Sequence, residues 1–154
     1  MDFKQLQIGW VKYMNKLVED GILDEQYKQL QQLQDESTPN FVLEVVSLFF
    51  DDSQKIIYEL ERALAQPIVD YKIIDAYVHQ LKGSSSSVGA GKVKEVCVKF
   101  RESCENQNKE GCVFAMQNLN HEFSRVKHNL QYLFELEQQI LAAGGSIPTI
   151  MLSQ

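Results

Sequence analysis

Apolar positions recur along this chain at steps of three and four, the spacing of a helix face. Phe3, Leu6, Trp10, Tyr13, Met14 and Leu17 predict a helix over 3–18 that Gly21 stops. A shorter helix is expected over 24–33, with Tyr27, Leu30 and Leu33 inward. Ser37-Thr38-Pro39 ends it, Thr38 and Pro39 suiting the cap and first residue of the next helix. That third helix, over 40–65, is patterned through Phe41, Val45, Leu48, Phe49, Ile56, Leu60 and Leu64, and Pro67 closes it. Asp70 can cap a fourth helix carrying Ile74, Tyr77, Val78, Leu81 and Val88. Residues 71–78 would pass for a buried strand if read alone, but their continuation through Leu81 and Val88 favours the helix. Gly89-Ala90-Gly91 breaks the pattern, and a fifth helix carries Val93, Val96, Cys97, Phe100 and Cys104. After a turn at 105–109, the last helix, over 111–141, displays Phe114, Leu119, Phe123, Val126, Leu130, Leu133 and Leu136. No stretch alternates convincingly with period two. The expected fold is all-α: an antiparallel up-and-down four-helix bundle over about 40–142, preceded by two accessory helices over about 3–34. Residues 1–142 then form one domain, and 143–154, after Gly144-Gly145, a disordered tail.

Composition narrows the class. The chain has 154 residues, 44% hydrophobic and 23% charged, which suits one compact domain with a buried core. A net charge of −6 without a basic stripe argues against nucleic acid as a partner, the small clusters at Lys92 and Lys94 and at Arg125, Lys127 and His128 notwithstanding. Three cysteines, Cys97, Cys104 and Cys112, form no CxxC pair and suit a reducing compartment; Cys97 and Cys104 share a helix face and read as small core residues. No apolar run approaches a membrane span, and Met1-Asp2-Phe3-Lys4-Gln5 lacks a signal-peptide profile. A soluble intracellular protein without a membrane partner is expected.

Chemistry concentrates in His79-Gln80-Leu81-Lys82-Gly83-Ser84-Ser85-Ser86-Ser87-Val88-Gly89-Ala90. At roughly 100° per residue, Ile74, Tyr77, Val78, Leu81, Ser85 and Val88 share the core side, and His79 projects on the order of 140° away from it. Lys82, Gly83 and Ser86 fall on the face of His79, one and two turns on. A neutral imidazole offers a nucleophilic nitrogen near pH 7, and Lys82 offers a charge to offset a phosphoryl group. Gly83 costs a helix interior about 1 kcal/mol relative to alanine, and what it provides is clearance for a bulky partner closing over His79. Ser86 and Ser87 can donate hydrogen bonds to phosphate oxygens. Asp75, one turn before His79, can orient the ring or fix its tautomer. A flexible serine linker is the plain rival, but Leu81 and Val88 bracket the serines in phase with one core stripe.

The same stretch closely resembles the signature of plant histidine-containing phosphotransfer proteins, which act in cytokinin-type multistep phosphorelays. The resemblance covers most of the chain: the N-terminal helices, Lys92-Val93-Lys94, Phe100-Arg101-Glu102-Ser103-Cys104 and Gly111-Cys112. It implies that His79 is the phosphorylated residue. Lys82 and Gly83 match the family's phosphate-side lysine and clearance glycine, and Gln80, Ser86 and Ser87 belong to the same environment. Where bacterial and fungal relatives hold the imidazole or phosphate with a glutamine of the following helix, spacing puts Arg101. Some family members have asparagine in place of the histidine and cannot carry phosphate, whereas this chain keeps His79. The resemblance further implies a carrier without kinase activity, cofactor or metal of its own; a monomer is expected because no face holds a spare apolar stripe, and a folded chain of this size can diffuse between cytoplasm and nucleus. Its partners would be receiver domains of sensor hybrid histidine kinases and of response regulators, which bring the aspartate and Mg²⁺. They would dock around His79 and on exposed apolar residues of the N-terminal helices.

Other classes fit less well. A phosphate-binding loop counted back from Lys92 fails at Ser86, where glycine is needed, and at Val93, where a hydroxyl is needed. A di-iron bundle needs paired Glu-x-x-His motifs, which are absent, leaving His121 and His128 as structural residues. A helical adaptor that binds receivers without being phosphorylated is the remaining alternative.

Overall fold

The computed structural model describes residues 2–149, which form six helices and no strand. These are α1 (Phe3–Glu19), α2 (Glu25–Gln32), α3 (Phe41–Leu64), α4 (Tyr71–Val88), α5 (Gly91–Glu105) and α6 (Lys109–Ala142). Consecutive helices α3 to α6 pack on one another and α6 returns to α3, closing the antiparallel four-helix bundle. At 34 residues, α6 is about 51 Å long and far outreaches the 15-residue α5. It packs on both α5 and α1, while α2 packs on α4. One hydrophobic core runs through all six helices.

Capping explains most of the boundaries. Asp2, Asp24, Asp70 and Asn108 each accept a backbone N–H in the first turn of their helix, satisfying donors that lack intrahelical partners. The start of α3 departs from expectation. Its N-cap is Asn40, without a side-chain bond. The Asp35 carboxylate instead gathers the backbone N–H and hydroxyl groups of Ser37 and Thr38, so Thr38 closes the preceding turn and does not cap the helix. The buried stripe of α3 is Val42, Val46, Phe49, Phe50, Ser53, Ile56, Ile57 and Leu60. Phe49, Ile56 and Leu60 are buried as expected, but Val42 and Val46 take the inner places expected of Phe41 and Val45, and Leu48 is 62% exposed. Leu33 and Phe114, expected inward, are exposed as well.

Trp10 and Glu137 fasten α1 to α6. The indole N–H donates to the buried carboxylate at 3.0 Å. Burial raises the Glu137 carboxyl to about 7, with the indole hydrogen bond opposing the rise. Residues 143–149, expected to begin a disordered tail, are laid along α1: Gln7 donates to the Ser146 carbonyl at 2.6 Å and Ile147 packs against the core. The rest of that expected tail, 150–154, lies outside the described residues.

Candidate functional site

The fourth helix turns its chemistry outward for the same reason that it is a helix. Ile74, Val78, Leu81, Ser85 and Val88 are buried and fix its rotation. His79 and Gly83 are consequently exposed, with Lys82 and Ser86 half-buried beside them. Gly89, at φ +80°, ends α4 in the left-handed conformation. A side chain there would strike the Tyr27 backbone, because Asp24 N–H donates to the Gly89 carbonyl and brings α2 against the turn. This tight corner sends α5 back along α4.

That return brings Arg101 to His79. Arg101 Nε and Nη2 donate to the two oxygens of Asp75 at 3.0 and 3.3 Å, and Nη1 lies 2.9 Å from His79 Nδ1. The bidentate carboxylate holds the guanidinium, raising its pKa. Asp75 therefore contacts Arg101, and the expectation that it orients the imidazole directly is replaced by an indirect one. His79 Nε2 has no partner among the described residues.

A cleft of about 570 Å³ opens beside these groups, lined among others by Asp75, Lys82, Arg101, Glu102 and Cys104. Lys82 makes no hydrogen bond or ion pair among the described residues, so its ammonium is free to meet an anion. Gly83 has open space around it: a Cβ built there meets nothing within 4 Å. The serines divide. Ser84 and Ser87 bond back to helix carbonyls, Ser87 to that of Gly83 at 3.1 Å, and the Ser85 hydroxyl is buried without a partner. Ser86, on the His79 face, has its hydroxyl uncommitted among the described residues, whereas the Ser87 hydroxyl is engaged. Gln80 is exposed and makes no side-chain bond among the described residues.

The remaining candidate chemistry sits elsewhere. His121 and His128 are exposed on α6, and no group of three or more His, Cys, Asp or Glu residues among the described residues is placed to hold a metal. The three thiols are buried and form no disulfide, Cys104 and Cys112 lying 3.9 Å apart, and burial pushes the Cys97 thiol up to about 12. The Arg101–Asp75 pairing escaped sequence reasoning, because the arithmetic of one helix cannot place a partner on the next.

A family model, Hpt domain, matches residues 44–140. Histidine-containing phosphotransfer protein 1 of Arabidopsis thaliana is 53% identical over 152 residues, 99% of each chain. Pseudo histidine-containing phosphotransfer protein 6 of the same plant is 44% identical over 146 residues, 94% of this chain and 95% of the relative. The crystal structure of a histidine-containing phosphotransfer protein from Medicago truncatula superposes with a TM-score of 0.87 at 50% identity, covering 92% of this chain and 96% of that one. One from maize gives 0.83 at 48% identity, covering 88% and 99%.

Proposed function

The chain belongs to the Hpt-domain family of histidine-containing phosphotransfer proteins, the phosphorelay carriers of plant two-component signalling, and we propose that His79 is the residue on which it carries phosphate. The observation that carries this is the exposed imidazole, held through Nδ1 by Arg101 and unencumbered at Nε2. Lys82 beside it supplies an uncommitted cation, and Gly83 clears the approach.

Proteins of this family work with receiver domains. Here the donor would be the aspartyl phosphate of a hybrid sensor kinase and the acceptor an aspartate of a response regulator, in a cytokinin-type relay. Once the ring proton has passed through water from Nε2 to Nδ1, the Nε2 lone pair attacks phosphorus in line, the Asp–O–P bond breaks with its electron pair passing to the carboxylate, and the phosphoimidazole releases its Nδ1 proton to solvent, leaving Nδ1 to Arg101 again. The receiver brings the Mg²⁺ and acidic pocket, so this chain contributes a nucleophile and a docking surface. It would act as a monomer in cytoplasm and nucleus. The interface would be small enough to release each partner, including exposed apolar residues of the N-terminal helices, of which Ile8 and Leu33 are the most open.

Family membership alone leaves the adaptor reading standing, since relatives carrying the name pseudo are also similar. His79 favours the carrier. Transfer from a phosphorylated receiver to wild type and to His79→Gln decides it. Acid-labile, alkali-stable label on wild type alone is expected. Label retained by the variant would mean that another residue is modified, and folded wild type without label would favour the adaptor.

A further inference from the structure

A guanidinium carries only donors and stays protonated. The 2.9 Å contact of Arg101 Nη1 with His79 Nδ1 therefore requires a lone pair on Nδ1, which puts the proton of the neutral ring on Nε2. The aim of Nη1 is not incidental, because Asp75 occupies Nε and Nη2 of the same group. We propose that Arg101 is a positioning residue for phosphate retention: by engaging the Nδ1 lone pair, it slows the loss of the phosphoryl group from Nε2 to water. This rests on the reading of His79 as the phosphate-bearing residue.

The chemistry turns on the leaving group. When Nδ1 of a phosphoimidazole is protonated, the Nε2–P bond breaks with both electrons passing to Nε2, and a neutral imidazole departs with its proton on Nδ1. A water oxygen bonds to phosphorus and inorganic phosphate results. Without that proton the same cleavage would expel an imidazolate, a far poorer leaving group. Arg101 donates a hydrogen bond but keeps its proton, so it competes with solvent protons for the lone pair without promoting departure. The surrounding charges act on the same equilibrium. Lys72 and Lys82 on α4 oppose a proton on the ring, as does Arg101 itself, while Glu102 and Glu105 on α5 favour one. No charged side chain of α2 or α3 lines this cleft. Asp75 is neutralised by Arg101, so removing the arginine would both free the lone pair and expose a carboxylate that draws a proton to the ring.

Two variants separate those effects: Arg101→Ala, and Arg101→Ala combined with Asp75→Asn. Wild type and both variants, with folding checked by circular dichroism, would be loaded with phosphoramidate. After donor removal, phosphohistidine would be followed by intact mass from about pH 5 to about pH 9, spanning imidazole titration. Nitrogen NMR of the resting ring reports the tautomer. Both variants should lose phosphate on the order of tenfold faster near neutrality, the factor that one charge-assisted hydrogen bond is worth. Their acid limb should move to higher pH, and the ring should change from Nε2–H alone to a mixture. Wild type and variants decaying alike over the whole pH range would overturn the role of Arg101 and leave the carrier reading intact. Wild type that takes no more phosphate than His79→Gln would overturn the carrier reading, and this one with it.

Discussion

Gly83 shares a face with His79, and nothing in the chain requires it to be glycine. A Cβ there would meet no side chain and no other element within 4 Å, and its backbone is ordinary helix. A helix-interior glycine costs about 1 kcal/mol against alanine, so Gly83→Ala should raise the stability of the protein by roughly that amount in a urea titration. A large residue should leave stability close to wild type yet cut transfer from a phosphorylated receiver severely. Gly83→Phe that transferred at the wild-type rate would remove the clearance argument. The two readouts move in different directions only if the space is kept for a partner. This residue was legible in the sequence, because the penalty of a mid-helix glycine and its spacing from His79 need no coordinates. The role of Arg101 was not: spacing brought it to the right neighbourhood, but its bond to Asp75 depends on how two helices turn toward each other.

Helices, as units, show where pattern reading loses resolution. The buried side of α4 is flanked by polar residues and could be read directly, as could those of α1 and α5. By contrast α3 opens Phe-Val-Leu-Glu-Val-Val-Ser-Leu-Phe-Phe, with apolar groups around most of its circumference. Two stripes one residue apart then score almost equally, and the contacts with α4 and α6 decide between them. The lock between α1 and α6 makes a separate prediction. The Glu137 carboxyl titrates at 4.5 when unfolded and at about 7 when folded. Below 4.5 both states bind the proton and its burial carries no ionisation penalty. As pH rises toward 7 the unfolded chain ionises first, and stability falls by up to about 3 kcal/mol. Glu137→Gln keeps an acceptor for Trp10 and cannot ionise. Its melting temperature should match wild type near pH 4.5 and exceed it at pH 8; equal melting curves at pH 8 would show that the carboxyl ionises without penalty.

For the whole molecule, the buried surface forms one core and the exposed apolar residues are scattered over several helices. Such single positions are ordinary on a monomer. Light scattering on a sizing column should accordingly give one species of 17.7 kDa. A dimer would point to a self-contact that these scattered residues do not suggest. The arrangement of long-range bonds has a further consequence for assembly. Asp75 and Arg101 close a loop of 26 residues, whereas Trp10 and Glu137 close one of 127. With closure entropy growing as the logarithm of length, the shorter loop is cheaper by about 1.4 kcal/mol before any contact energy is counted. A thermal excursion that peels α1 from the bundle therefore spares the α4–α5 corner. That corner, where Arg101 meets His79, should be among the first parts to assemble and the last to come apart.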